Sequence, residues 1–120
     1  MMERKKLLFI VRRGPYGNLL ARESLDAILA ASVYEQALSV LFLDDGVFQL
    51  VTPQTTASKQ KNISKLLSAF PLYDINELFV CQTSLRQRNL ETDTLCLTVK
   101  SLNGDEIKHL LQQQDQLISF

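Results

Sequence analysis

The chain has 120 residues, which fits one domain spanning 1–120 and lets it bury roughly two-thirds of its unfolded surface without metal or disulfide support. Hydrophobic residues make up 46% and charged residues 22%, and 13 Lys plus Arg balance 13 Asp plus Glu, so no basic field marks a nucleic-acid binder. No stretch nears the roughly 20 apolar residues of a membrane span, and two cysteines without a Cys-x-x-Cys pair exclude a disulfide framework and a zinc ribbon.

The N-terminal stretch MMERKKLLFIVRR has the outline of a signal peptide, but its apolar part, 7–11, is too short. Two arginines also stand where a small-residue cleavage site belongs. It reads as a first strand, and a cytoplasmic location is expected. The run lacks polar alternation, as in a strand covered on both faces. GPYGN then turns the chain. From 18 to 34 the period is helical: Ala21, Leu25, Ile28, Leu29 and Ser32 share one face, with Arg22, Glu23 and Asp26 opposite. Asn18 is its expected N-cap.

LSVLFL, 38–43, is a second buried strand closed by DDG, and VFQLV after it is too apolar for an ordinary loop. Residues 52–62 are polar and turn-like. Ile63, Leu66, Leu67 and Phe70 stand at helical spacing before Pro71 stops the run. ELFVC is a third strand, QTSLRQR a short helix, and LCLTV, 95–99, a fourth strand. Asn103 caps a last helix with Ile107, Leu110 and Leu111 inward, and QLISF is a fifth strand. Strands alternating with helices imply parallel βαβ units: a three-layer α/β/α sandwich around a mostly parallel five-stranded sheet.

In such folds chemistry collects beyond the carboxyl ends of the strands, which here carry RRGPYGN, DDGVFQL and VCQTSLRQR. Gly14 and Gly17 permit close approach of an anion, but the loop matches neither the dinucleotide fingerprint nor the Walker sequence. A tight turn is the simpler reading. Asp44 and Asp45 could hold a metal or accept a phosphoryl group, but arginines occupy the position after the first strand where such a cluster needs its acids. A turn and helix-capping pair is the simpler account. No metal or cofactor is expected.

Cys81 ends a strand where a helix begins. The amides of Gln82, Thr83 and Ser84, with Arg86 and Arg88 beyond, could stabilise a thiolate able to carry a persulfide. Against this stands the general tendency of free cysteine to be buried. Cys96 is expected in the core within the fourth strand. His109 is expected at the surface or its boundary.

FLDDGVFQL, LYDINELFVCQTSLRQRNL and the closing LISF resemble the DsrE/DsrF-like family, in its DsrF-type branch, over the length from first strand to last. DGVFQL followed about thirty residues later by VCxxSLRxR is the specific part of the match. The resemblance implies a subunit of a sulfur-relay complex that passes persulfide sulfur for 2-thiolation of the tRNA wobble uridine. Expected partners are TusB-like and TusD-like subunits in a heterohexamer, a dimer of heterotrimers, with TusA- and TusE-like carriers met through the complex. Cys81 matches the place of the family's persulfide carrier, but the resemblance credits the transfer step to the TusD-type sister, which makes this chain a structural subunit. Asn89 stands where the family commonly has glycine, and asparagine also tolerates a left-handed turn.

Val47, Phe48, Leu50 and Val51 are expected to be exposed in the lone subunit and to form its interface. Direct tRNA binding and membrane association are not expected. The alternatives are an independent persulfide carrier acting through Cys81, a DsrF-type subunit in sulfur oxidation, and a small-ligand module using RRGPYGN.

Overall fold

In a computed structural model that describes residues 5–14, 20–33, 37–51 and 67–120, five parallel strands form one sheet. They are β1 (Lys6–Val11), β2 (Ala37–Phe42), β3 (Glu77–Cys81), β4 (Lys100–Leu102) and β5 (Gln116–Ser119). The spatial order is β4-β3-β2-β1-β5. The helices that lie wholly within the described residues are α1 (Leu20–Ala31), α2 (Gln82–Gln87) and α3 (Gly104–Gln112). The expected N-cap Asn18 and the first half of the helical run 63–70 lie outside the described residues.

The period-2 geometry of a strand divides the sheet into two faces. Phe9 and Val11, Val40 and Phe42, and Leu78 and Val80 share one face, where they pack with Leu25 and Ile28 of α1 and Leu85 of α2. On the other face Leu8, Leu41 and Leu102 are buried, and α3 lies there with Leu110 beside Leu102 and Phe79. Apolar side chains on both faces account for the unbroken hydrophobic runs. Asn103 caps α3 with a full capping box: its side chain accepts from the Glu106 N–H at 2.9 Å, and its own N–H donates to Glu106 Oε1 at 3.0 Å. Asn89 has φ 55°, the left-handed conformation expected at that turn.

Two segments differ from expectation. Residues 95–99 are not the fourth strand; the sheet takes Lys100–Leu102 instead. Leu95 forms an antiparallel bridge with Val51, and the Cys96 N–H donates to the Leu50 carbonyl at 2.8 Å, so these backbone groups are used outside the sheet. Asp44–Leu50 winds into a 3₁₀ helix. Gly46 makes this possible, because a Cβ there would overlap the Val11 carbonyl oxygen. The turn is thereby seated directly on the end of β1.

Candidate functional site

Cys81 is the last residue of β3, paired in register with Leu102 of β4. After β3 the chain turns to the α1–α2 face, and after β4 to the α3 face. These two neighbouring strands therefore flank the place where the connections diverge, which is where parallel sheets open a crevice at their carboxyl ends. Cys81 is half-buried there. Its Sγ caps α2 and accepts a hydrogen bond from the Ser84 N–H at 3.5 Å. Of the three amides expected around the sulfur, this one is bonded to it. Gln82 is half-buried, while Thr83 and Arg86 are exposed on the outer side of the short helix.

Ser84 is buried, and its other polar groups are engaged as well. Its Oγ accepts from the Asp44 N–H at 2.9 Å, and its carbonyl accepts from Arg88 Nη1 at 3.2 Å. Arg88 also donates from Nε and Nη2 to Asp45 Oδ1 at 3.2 and 3.0 Å, and its guanidinium lies 5.8 Å from the centre of the Phe48 ring. The segment that starts at Cys81 is thus fastened to the 44–50 turn by the Arg88–Asp45 ion pair, a cation–π contact and the hydrogen bond between Asp44 and Ser84. Arg88 serves this clamp; its charge is matched by Asp45. Sequence reasoning missed the clamp because its halves lie about forty residues apart, although the Asp-Asp and Arg pattern was visible.

The acidic pair does not cap the turn as expected: Leu43 is the N-cap and makes no side-chain bond. Asp44, at φ 51°, pairs with Arg12, whose Nε and Nη2 both lie 3.1 Å from Asp44 Oδ2. This ties the end of β1 to the same turn. Gln49, buried, donates to the Arg13 carbonyl at 2.7 Å and anchors the start of the RRGPYGN loop, whose residues 15–18 lie outside the described part.

The expected interface is only partly available. Val47 and Leu50 are completely buried in the chain's own core and cannot meet a partner. The 3₁₀ winding turns both of them inward, with Phe48 and Val51 left half-exposed. Leu90, Leu95 and Leu97 are partly buried around the same core. Cys96, expected in the core, is exposed, since its segment is not in the sheet. Its surroundings still desolvate the sulfur enough to push the thiol above its ordinary value, with its own backbone hydrogen bond opposing. His109 is exposed on α3 and hydrogen-bonds Gln113.

Among the described residues no group of His, Cys, Asp and Glu is arranged to hold a metal ion, and no helix is long and apolar enough to cross a membrane.

Comparison with known proteins places this arrangement. The chain is 40% identical over 116 residues to the "Protein TusC homolog" of Vibrio vulnificus strain CMCP6, covering 96% of this chain and 98% of that protein. It is 39% identical over 117 residues to the protein of the same name in Pseudomonas aeruginosa, covering 97% and 98%. The crystal structure of the ychN protein from E. coli shares the fold, with a TM-score of 0.82 at 20% identity, covering 97% of this chain and 99% of that one. The model of the DsrE/DsrF-like family matches residues 5–120, and the TusC homologs are matched over nearly their full length, so the chain belongs to the DsrE/DsrF-like family.

Proposed function

We propose that the chain is a cytoplasmic subunit of a sulfur-relay complex that passes persulfide sulfur for 2-thiolation of the wobble uridine of tRNA. The observation that carries this reading is the 39–40% identity over nearly the whole chain to proteins named TusC homolog. Its partners in this reading are TusB-like and TusD-like subunits, assembled as a dimer of heterotrimers, with a TusA-like donor and a TusE-like acceptor. The role is architectural, and the sister subunit performs the transfer. Phe48 and Val51, half-exposed, with Leu95 bridged to Val51, supply apolar surface suited to a neighbouring subunit.

A second reading rests on Cys81 itself. Its half-exposed sulfur sits at the crevice of the sheet with one N–H directed at it. A Cys81 thiolate that attacks the outer sulfur of a donor persulfide forms a new S–S bond. The donor's S–S bond breaks and its thiolate leaves, so no oxidant is consumed. The acceptor thiolate reverses the step.

Cys81→Ser in cells separates the two. In the architectural reading the complex assembles and tRNA 2-thiouridine, measured by nucleoside mass spectrometry, stays near wild-type level. The same change in the TusD-like partner removes it. Loss of 2-thiouridine in Cys81→Ser cells with the complex intact makes Cys81 a working carrier. Failure of the chain to co-purify with either partner removes the relay reading altogether.

A further inference from the structure

The face of the sheet opposite α1 and α2 is unevenly covered. On it, Leu8 of β1 and Leu41 of β2 are completely buried, whereas Phe79 of β3 is half-exposed and Lys100 of β4 is exposed. Between α3 and the β3–β4 pair runs a groove of about 390 Å³, with Phe79, Leu102 and Leu110 as its apolar floor. The cover thus gives out over two strands, a width of about 10 Å. That is also the spacing at which one helix packs beside another. The groove has room for one further helix next to α3, and its floor is the kind of surface on which an apolar helical stripe packs.

Charge selects the occupant. α3 begins just beyond β4, so Asp105 and Glu106 stand on the groove at the carboxyl end of the strands. One oxygen of Glu106 accepts the Asn103 N–H, while the Asp105 carboxylate is exposed and, among the described residues, unpaired. Lys100 lines the groove across from α3. Exposed Glu77 lies two residues before Phe79, on the same face of β3. His109 and Gln113 complete the rim, hydrogen-bonded to each other at 3.0 Å. The lining carries two carboxylates against one ammonium, with Glu77 beyond it, so it favours a cationic occupant and disfavours a phosphate-bearing one.

The described helices of this chain do not supply such an occupant. α1 and α2 turn Leu25, Ile28 and Leu85 into the core, and the exposed side of α1 carries Glu23 and Asp26. α3 is itself acidic in its first turn. Among the described residues, a second copy therefore offers no basic helix with a free apolar stripe.

We propose that the groove between α3 and the β3–β4 pair is the docking site for a basic amphipathic helix of a different protein. The apolar stripe of that helix lies on Phe79, Leu102 and Leu110, and its Lys or Arg side chains meet Asp105 and Glu106. Leu102 is the register partner of Cys81, so the acidic end of the groove adjoins the Cys81 crevice. The proposal rests on the groove alone. It needs neither a reactive Cys81 nor the sulfur-relay reading.

The test uses the purified full-length chain and two synthetic fluorescein-labelled peptides of about fifteen residues, long enough to hold a helix. Both carry Leu at i, i+3, i+4 and i+7 on an Ala background. One has Lys flanking the stripe and the other has Glu at the same positions. Fluorescence anisotropy is expected to give the Lys peptide a Kd of about 100 μM or tighter, and the Glu peptide about tenfold weaker binding or less. In ¹⁵N spectra the Lys peptide should shift the amides of Phe79, Leu102 and Leu110. Asp105→Lys should weaken the Lys peptide about fivefold or more and favour the Glu peptide. Asp105→Asn removes the same charge with little change of shape and should weaken the Lys peptide about threefold, which keeps the test valid if Asp105→Lys loosens α3. A Lys peptide that does not bind, that binds no better than the Glu peptide, or that shifts amides of the α1–α2 face instead overturns the proposal. Binding that neither Asp105 variant weakens also overturns it. So does a chain already dimeric through this groove in sedimentation velocity, because the occupant is then a second copy. Cys81→Ser should leave peptide binding unchanged, so failure here and failure of the relay reading are distinguishable.

Discussion

Gly46 and Cys96 show how single positions depend on contacts remote in sequence. At Gly46 the 3₁₀ turn touches the end of β1, and any side chain meets the Val11 carbonyl. That carbonyl also accepts from the Leu43 N–H at 3.0 Å, so moving it disrupts the turn's own anchor. Gly46→Ala is expected to lose about 2–4 kcal/mol of stability, typical of forced overpacking at a rigid site, measured as a lower Tm and urea midpoint. Cys96 supplies a pH signature. Desolvation favours its neutral thiol, so thiolate forms later than in an unfolded chain as pH rises. In a Cys81→Ser background, the rate of alkylation by iodoacetamide should keep rising beyond the pH at which a free cysteine peptide has levelled off. Levelling at the same pH contradicts the desolvation.

Among the elements, α2 and α3 are held in different ways. α2 has only six residues, too few to be stable alone, and depends on the clamp formed by Ser84, Arg88, Asp45 and Phe48. α3 has nine residues and no fully buried side chain, so its capping box carries a larger share of its stability. Asn103→Ala removes the acceptor for the Glu106 N–H and should cost about 1–2 kcal/mol. The effect should be local. Hydrogen exchange should accelerate in the first turn of α3 while amides of β1 and β2 remain protected. Equal acceleration throughout the sheet would mean that α3 is part of the central folding unit.

At the scale of the molecule, electrostatics bears on what the chain can bind. The chain carries no net charge, and among the described residues Arg12 is matched by Asp44 and Arg88 by Asp45. Affinity for a phosphate backbone grows with the number of counterions released by unmatched cations. The isolated chain is therefore expected to bind tRNA weakly. Filter binding at physiological salt should give no submicromolar Kd; tight binding that collapses steeply with salt would show an unmatched basic surface. In the proposed function, contact with tRNA belongs to an enzyme further along the relay.

Much of this was already determined in the sequence. Unbroken apolar runs alternating with helical periods specified parallel strands buried on both faces, and Cys81 could be assigned to a carboxyl strand end because ELFVC passes directly into a helical pattern. Asn103 followed three residues later by Glu106 specified the cap of α3, since that signal is local. Only the tertiary structure decided the rest. The stretch 95–99 has strand character, but its backbone partners are Leu50 and Val51, a pairing that no local pattern encodes. Val47 and Leu50 read as exposed until the 3₁₀ winding turned them into the core beneath Phe48 and Val51. Arg88 read as positive charge for a thiolate until its geometry assigned it to Asp45 and the Phe48 ring. Local propensity acts over a turn or two of chain, whereas burial and ion pairing are set by residues that meet only when the sheet has formed.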